Sequence, residues 1–249
     1  MPRSRKPSPS QDGLRPGELT FAAPGADRVC HHPDMRLVDL SHDIEHEMVT
    51  YPGLPGPQIS EHLSFEASTD VYAPGTEFVI GHISMVANTG TYLDTPAHRY
   101  RDGDDLSALP LQRCVDVPTV VIDGDGPITR DAFSGSGIGG VAVLLRTGWD
   151  RHWGTDRYGD PAHPYLTEDG AQELVDQGAV LVGIDSVNID GTTTGERSAH
   201  SLLLAAGIPI VEHLTHLHEL PPTGARFTAV PPRVRGLATF PVRAFASIP

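Results

Sequence analysis

The sequence has few of the features that stabilise secreted or membrane-embedded proteins. It contains two cysteines in 249 residues, too few for a disulfide framework or a four-thiolate zinc site. No apolar run approaches the roughly 20 residues that a membrane span needs. Residues 1–33 also lack the apolar segment of a secretory signal. These absences predict a cytoplasmic protein that does not span a membrane.

Basic residues are scarce as well. Eighteen Lys and Arg residues stand against 32 Asp and Glu residues, so the formal net charge is -14. A strongly acidic surface is repelled by nucleic-acid phosphates and by anionic lipid headgroups. We therefore expect neither nucleic acid nor a membrane as a partner, and we expect a small-molecule substrate.

Glycine and proline, in contrast, are abundant. The 26 glycines and 23 prolines make up about a fifth of the chain, against roughly 12% in an average protein. This composition favours short strands joined by turns over a helix bundle. Residues 1–33 are polar and proline-rich without apolar periodicity, which predicts a flexible N-terminal tail. One domain is then predicted over residues 34–249.

Most of that domain has the alternating strand and helix patterns of an α/β fold. Thr167 is a typical helix N-cap and Gly178 a typical helix stop, so we predict a helix that ends at residue 177. A second helix is predicted over residues 199–206. The predicted strands cover residues 36–41, 77–88, 119–123, 141–146, 179–184 and 208–211. The segment 77–88 is apolar on both faces, which predicts a buried strand.

The segment that follows residue 88 carries the first candidate catalytic groups. Gly90 and Pro96 force an irregular backbone path there. Asp94 and His98 are therefore expected on a rigid loop at the end of a strand, where catalytic groups are common. Each residue alone also fits a structural role, because Asp is a favoured turn residue.

A second pair of polar residues strengthens the functional interpretation. Glu212 follows an apolar strand, and a buried carboxylate must be paired, protonated or bound to a metal. His200 lies in the predicted second helix. Together with Asp94, these residue types suit a divalent cation such as Zn²⁺ or Mn²⁺, although spacing alone leaves open whether they converge. A nearby group of histidines is predicted to be structural, because its members cannot all face one ion: His213, His216 and His218.

The segment around Asp94 resembles the signature of the metal-dependent cyclase family, which includes bacterial kynurenine formamidase and isatin hydrolase. That signature reads His-x-Gly-Thr-His-x-Asp-x-Pro-x-His. Five of its positions are kept here: Gly90, Thr91, Asp94, Pro96 and His98. Similar segments also lie at residues 39–41, 51–53, 183–190 and 240–243, so the resemblance extends over residues 35–246.

The resemblance implies a swivelling β/β/α-type single domain, rich in short strands, that assembles as a homodimer or homotetramer. It places Asp94, His200 and Glu212 at metal-ligand positions and His98 at the position of the general acid/base. Family members hydrolyse amides of small aromatic molecules, and some relatives act in polyketide ring closure.

Two signature histidines are replaced in this sequence, by Asn88 and Tyr92. Asn offers a neutral oxygen, and Tyr is a poor metal ligand unless it is ionised, since its ordinary pKa is about 10. His82 shares the predicted strand face of Asn88 but lies roughly 20 Å away along an extended strand. It cannot supply the missing ligand. We therefore predict one divalent cation rather than two.

Three functions remain open from the sequence. The first is a hydrolase of an amide or lactone bond in a small aromatic molecule, with a single Zn²⁺ or Mn²⁺ and with His98 as general acid/base. The second is a metal-free cyclase or isomerase that uses His98 and Tyr92. The third is a non-catalytic relative that binds a small molecule. Three side chains are predicted to contact the substrate: Tyr51, Asn88 and Tyr92. Trp149 and Trp153 are predicted to pack in the core or in loops.

Overall fold

The computed structural model describes residues 35–249 of the chain. The predicted tail, residues 1–33, lies outside the described residues, so the boundary at residue 34 stays a prediction. Within the described range, no helix is long and apolar enough to cross a membrane. The strands of this range are β1 (Arg36–Asp39), β2 (Gln58–Leu63), β3 (Ile80–Ser84), β4 (Tyr92–Asp94), β5 (Val117–Asp123), β6 (Pro127–Ile128), β7 (Ala142–Arg146), β8 (Tyr165–Leu166), β9 (Leu181–Ile184), β10 (Ile210–Glu212), β11 (Thr223–Thr228), β12 (Thr239–Pro241) and β13 (Phe245–Ile248). The α-helices are α1 (Phe65–Ser68), α2 (Glu168–Gln177) and α3 (Ser198–Ala205).

Nine strands form one mixed sheet in the order β1-β13-β11-β5-β7-β9-β10-β4-β12. The central strands β5, β7, β9 and β10 are parallel, whereas β4 is antiparallel to both of its neighbours, β10 and β12. Parallel strands need long crossover connections, and α2 and α3 lie in two of these connections. The predicted α/β class is confirmed.

Both faces of the central sheet are buried, in two separate apolar cores. Successive side chains of a strand point to opposite faces, so in β7 Val143 and Leu145 join one core while Leu144 joins the other. The first of these cores includes Leu174 of α2 and Leu203 of α3. Burial on both faces explains why the central strands are almost continuously apolar.

The two predicted helices are present with bounds close to those expected. The Thr167 side chain accepts a hydrogen bond from the Gly170 N–H at the start of α2, and Gly178 ends the helix with a left-handed backbone, φ 79°. The second helix, α3, begins at Ser198 and ends at Ala205. Local capping chemistry therefore determines where α2 begins and ends.

The prediction of a buried strand at residues 77–88 is wrong. Only Ile80–Ser84 forms a strand, all five of its residues are exposed, and it pairs with β2 in a separate two-stranded sheet. We call residues 58–84, which comprise β2, α1 and β3, the arm. Apolar residues on both faces of a segment predict that both faces are buried. The pattern does not specify whether they pack against the domain's own core.

Candidate active site

Strand β4 places Asp94 at its carboxyl end, and the following turn brings His98 back beside it. Pro96 begins a single 3₁₀ turn that ends at His98. As a result, His98 Nδ1 lies 3.7 Å from Asp94 Oδ1. Thr239 of β12 is the cross-strand partner of Asp94. Its hydroxyl donates to Asp94 Oδ1 and lies 3.1 Å from His98 Nδ1, so in the neutral imidazole Nδ1 carries the proton and Nε2 is the free acceptor.

The neighbouring strand β10 places Glu212 directly opposite Tyr92. The Tyr92 hydroxyl donates to Glu212 Oε2 at 2.7 Å, and the Ile189 N–H donates to Glu212 Oε1 at 2.6 Å. Glu212 is almost completely buried. Each of its carboxylate oxygens therefore has a protein donor, which satisfies the buried charge.

His200 reaches the same place from the first turn of α3, and Asp190 fixes its orientation. The Asp190 carboxylate accepts from the backbone N–H groups of Ala199 and His200 and lies 2.6 Å from His200 Nδ1. His200 Nε2 then lies 3.9 Å from Asp94 Oδ2 and 3.7 Å from Glu212 Oε1. The predicted ligands Asp94 and Glu212 therefore both lie near His200 Nε2. Within residues 35–249, however, the cluster whose ligand atoms all lie within 4.8 Å of one another contains His98 in place of Glu212.

The carboxylates of Asp94, Asp190 and Glu212 surround the His200 imidazole. Burial would lower the pKa of His200, but its hydrogen bond to Asp190 and the negative charges of Asp94 and Glu212 raise that pKa to about 10. Burial also raises the pKa of Glu212. Carboxylates that hold an imidazole in its cationic form also favour a metal cation at the same position.

The donor set fits a divalent cation. Asp94 is fully buried, and within residues 35–249 its Oδ2 atom has no hydrogen-bond partner. Ligand atoms of Asp94, His98 and His200 all lie within 4.8 Å of one another. A carboxylate that holds the far nitrogen of a histidine, as Asp190 holds Nδ1 of His200, is a common arrangement at metal-binding histidines. An unpartnered buried carboxylate oxygen is costly, and a cation would satisfy it.

Tyr92 is a neutral hydrogen-bond donor in this site. Burial and the negative charges of Glu212 and Asp94 raise the pKa of Tyr92 well above its usual value. The phenol therefore stays protonated at neutral pH and cannot act as an anionic ligand. The same geometry is unfavourable to the metal-free alternative, because the only hydroxyl proton of Tyr92 is donated to Glu212.

A cavity of about 380 Å³ opens over these groups. It is lined by all three residues that the sequence predicts to contact a substrate, namely Tyr51, Asn88 and Tyr92. The two tryptophans do not line it: Trp149 and Trp153 pack with Tyr158, and the Trp149 indole N–H donates to the Tyr158 carbonyl at 2.9 Å. This agrees with their predicted packing role.

Sequence reasoning missed several residues that shape the site. Asp190 and Thr239 hold the candidate ligands, and His213 holds Tyr92. Burial lowers the pKa of His213 to about 3, so its imidazole is neutral. Its Nε2 lies 3.3 Å from the Tyr92 hydroxyl and its Nδ1 lies 2.8 Å from the Tyr158 hydroxyl. Because Tyr92 donates its proton to Glu212, His213 Nε2 donates to Tyr92 and Nδ1 accepts from Tyr158. The structural role predicted for His213 therefore includes support of the site.

A family profile, related sequences and solved structures were compared with this chain, and all three comparisons identify related proteins. The sequence profile of the family described as "Putative cyclase" matches residues 38–191. The chain is 27% identical over 213 residues to the kynurenine formamidase of Salinibacter ruber, which covers 84% of this chain and 96% of the relative. Isatin hydrolase A from Ralstonia solanacearum has the same fold, with a TM-score of 0.75 and 24% identity over 87% of this chain and 93% of that one.

A structure from Bacillus stearothermophilus, described as a predicted metal-dependent hydrolase, is also similar. Its TM-score is 0.68 and its identity 25%, over 86% of this chain and 98% of that chain. The family profile spans well over half of the 249 residues, and its match includes the strand that carries Asp94. On this evidence the chain belongs to the cyclase family that the signature around Asp94 predicts.

Proposed function

We propose that this protein is a metal-dependent hydrolase that cleaves an amide or lactone bond in a small aromatic molecule. The relationship to kynurenine formamidases and to metal-dependent hydrolases supports the reaction class. The observation that carries the proposal is the buried, unpartnered Oδ2 of Asp94, which faces His200 Nε2 at 3.9 Å. A satisfied structural carboxylate would not leave this atom without a donor.

We assign the single cation to Asp94, His200 and Glu212, as Zn²⁺ or Mn²⁺. When bound, such a cation supplies Lewis acidity toward the carbonyl that is to be cleaved. Asp190 keeps one proton of His200 on Nδ1, and a bound cation would take the place of the proton on Nε2. Glu212 has each oxygen held by one donor, but a carboxylate oxygen has a second lone pair for a cation.

His98 is assigned to proton transfer. Its side chain is 35% exposed, in contrast to the fully buried Asp94, and it lines the cavity. Thr239 holds its Nδ1 proton, so its Nε2 accepts a proton from attacking water and returns it to the leaving nitrogen or oxygen. Tyr51 and Asn88 line the same cavity and are assigned to substrate binding.

The test uses metal content and turnover of formanilide, a minimal neutral aromatic amide. We expect about one ion per chain after loading with Zn²⁺ or Mn²⁺, and amide hydrolysis that a chelator abolishes. Asp94→Asn should lose both the ion and the activity. His98→Gln should keep the ion and lose about 100- to 10,000-fold in kcat. Hydrolysis that survives complete removal of metal would overturn the metal-dependent assignment, and loss of the ion in His98→Gln would make His98 a ligand.

We further propose that the protein is a homo-oligomer in which the arm contacts a second copy. A lone two-stranded sheet is only marginally stable in water. The arm nevertheless exposes eight large apolar side chains: Ile59, Phe65, Val71, Tyr72, Phe78, Val79, Ile80 and Ile83. Each of them has between 38% and 66% of its surface exposed. A standard protein interface buries about 800 Å² on each partner. Because the family resemblance implies a homodimer or homotetramer, we assign a second copy of the chain to this surface.

Ile59 and Ile83 are directly opposite each other across the arm, so one double variant disrupts its centre. Ile59→Asp/Ile83→Asp should convert the assembly to monomers in size-exclusion chromatography with light scattering. Leu111→Asp is the matched control, because Leu111 is 59% exposed but lies outside the arm. A wild-type protein that is monomeric at micromolar concentration would rule out this assembly.

A further inference from the structure

One buried histidine, His163, contacts both ends of the segment that supports the candidate ligands. That segment, residues 186–192, follows β9 and precedes α3. His163 Nδ1 lies 3.2 Å from the Ser186 hydroxyl, and His163 Nε2 lies 3.2 Å from the Thr192 hydroxyl. Only 2% of the His163 surface is exposed, and His163 does not line the cavity over the site. It is therefore placed to hold the segment and not to contact a substrate.

The residues between those two contacts carry three groups of the site. The Ile189 N–H donates to Glu212 Oε1 at 2.6 Å, and the Asp190 carboxylate lies 2.6 Å from His200 Nδ1. Asn188 lines the cavity, and its side-chain oxygen accepts from the Asp190 N–H at 2.9 Å. A shift of this segment would therefore move the groups that hold both candidate ligands.

The segment depends on such contacts because it forms neither a helix nor a strand. One backbone hydrogen bond holds its middle, from the Leu166 N–H of β8 to the Ile189 carbonyl at 2.8 Å. The two ends are held by the His163 side chain, which lies three residues before Leu166. Side chains that fix the partners of metal-binding groups are as much part of a metal site as the ligands themselves.

The tautomer of His163 follows from its partners. Burial lowers the pKa of His163, so the imidazole is neutral at pH 7. Nδ1 lies 2.9 Å from the Pro164 carbonyl oxygen, which can only accept, so Nδ1 carries the proton. Nε2 is then the acceptor and takes the proton of the Thr192 hydroxyl. One neutral ring thus supplies a donor at one end of the segment and an acceptor at the other.

We propose that His163 is a positioning residue, which holds residues 186–192 in place and thereby sets the geometry of His200 and Glu212 for cation binding. This inference rests on the proposed hydrolase function and adds a residue that acts on it without contacting the substrate. Its effect passes through the Asp190 carboxylate to His200 and through the Ile189 N–H to Glu212.

The first test uses the metal-free protein, so that it depends on neither turnover nor metal loading. His163→Phe keeps an aromatic ring and removes both ring nitrogens. We expect three backbone N–H groups of the site to exchange with deuterium about 10- to 100-fold faster in this variant, because local opening of the segment becomes easier. They are those of Ile189, Ala199 and His200, which donate to Glu212 and to Asp190.

A reference amide separates local opening from loss of overall stability. The Ala229 N–H donates to the Cys114 carbonyl at 2.8 Å and should be accelerated much less than the three site amides. Equal acceleration at Ala229 would overturn the proposal, because His163 would then only stabilise the fold as a whole. Unchanged exchange at the three site amides would overturn it as well.

Three further variants examine the same contact with smaller changes. Thr192→Val removes the hydroxyl that Nε2 accepts, at a half-buried position, and should give the same pattern with a smaller acceleration. Thr193→Val is the matched control, because Thr193 is exposed and its hydroxyl makes no hydrogen bond to any residue in the range 35–249. His163→Gln keeps an acceptor that reaches Thr192 and should restore part of the protection. If His163→Phe does not fold, exchange in Thr192→Val equal to that in Thr193→Val overturns the proposal.

Metal binding and turnover then connect the segment to the ligands. Measured by competition with a chromophoric chelator, the affinity for Zn²⁺ should fall about 10- to 100-fold in His163→Phe. For formanilide, kcat should fall while KM changes little, since His163 lies outside the cavity. Val117→Ala leaves a space in the buried part of β5, so it should lower stability without changing the affinity for Zn²⁺.

The outcomes distinguish this proposal from the function on which it rests. Faster exchange at the site amides together with wild-type affinity for Zn²⁺ would overturn the role of His163 in positioning the ligands. A wild-type protein that binds no Zn²⁺ and hydrolyses no formanilide, but whose amides respond to His163→Phe as expected, would instead contradict the hydrolase.

Discussion

The two halves of the candidate site contain the same kind of group, a buried carboxylate on a short strand, but satisfy it differently. In one half, Glu212 has a donor on each oxygen, from Tyr92 and from the Ile189 N–H. In the other half, Asp94 Oδ2 has no donor among the described residues and faces His200. The Tyr92 half is therefore complete with protein groups alone, whereas the Asp94 half has an open ligand position.

The difference follows from the two substitutions in the signature. A histidine at position 92 would offer a lone pair to a cation beside Glu212, whereas the Tyr92 phenol offers a proton to Glu212 and occupies that space. Tyr92 is in turn held by His213. One half of the site is thus organised around a hydrogen-bond network, and the proposed cation would bind at the other half, which is why we expect one ion per chain.

The largest effect on this difference is expected when both signature histidines are restored. In Asn88→His/Tyr92→His, the Tyr92 hydrogen bond to Glu212 is gone and two imidazoles face the cavity. We expect the metal content, measured by mass spectrometry of the loaded protein, to rise from about one to about two ions per chain. Asn88→His alone is the control, because it keeps the Tyr92–Glu212 bond and should stay near one. A double variant that still binds one ion would show that Tyr92 does not limit the stoichiometry.

A smaller effect is expected when only the hydroxyl of Tyr92 is removed. Tyr92→Phe leaves Glu212 Oε2 without its donor in a fully buried position. The free energy of unfolding of the metal-free protein should fall by about 1–3 kcal/mol, the usual cost of an unsatisfied buried polar group, as measured by urea denaturation.

The matched control for that measurement is Tyr165→Phe. Tyr165 is half-buried in β8 and its hydroxyl makes no hydrogen bond to any residue in the range 35–249, so its removal should change stability by about 0.5 kcal/mol or less. Equal stability of Tyr92→Phe and wild type would mean that the Tyr92–Glu212 hydrogen bond contributes nothing, and the contrast between the two halves would lose its basis.

The sequence predicted the features that depend on neighbouring residues. The N-cap at Thr167 and the stop at Gly178 bound α2 where expected, because capping is a local hydrogen-bonding and backbone effect. The strand predicted at residues 77–88 was wrong, because its apolar pattern does not specify which surface covers it. The bounds of α2 were predictable because the residues that set them are neighbours in sequence. The burial of residues 77–88 was not, because it depends on residues that are distant in sequence.

The site follows the same rule. Asp94 and His98 were predicted from one short segment, and the family resemblance supplied His200 and Glu212. The network behind Tyr92 was not predictable, since His213 is 121 residues away in sequence and carries no local signal that distinguishes it from a structural histidine.

The smallest expected effect concerns the pH dependence of the Tyr92 half. Burial lowers the pKa of His213 to about 3, whereas an unfolded histidine has a pKa of about 6.5. Well above pH 6.5, His213 is neutral in both the folded and the unfolded protein. Below pH 6.5, His213 binds a proton in the unfolded protein but not in the folded protein, so the free energy of unfolding falls as the pH falls. Between pH 6.5 and 5.5 this one group should cost about 1 kcal/mol.

His213→Asn removes that contribution and isolates it. Asn tolerates the left-handed backbone at this position, φ 57°, and does not titrate in this range. The variant should be less stable than wild type at pH 7, because Tyr158 and Tyr92 lose a partner, but its stability should fall less steeply with acid, by about 1 kcal/mol between pH 6.5 and 5.5. Urea denaturation of both metal-free proteins at the two pH values measures the difference, in which shared contributions such as His42 and His200 cancel. Parallel pH profiles would mean that His213 accepts a proton in the folded protein, and the neutral donor chain from Tyr158 to Glu212 would then be wrong.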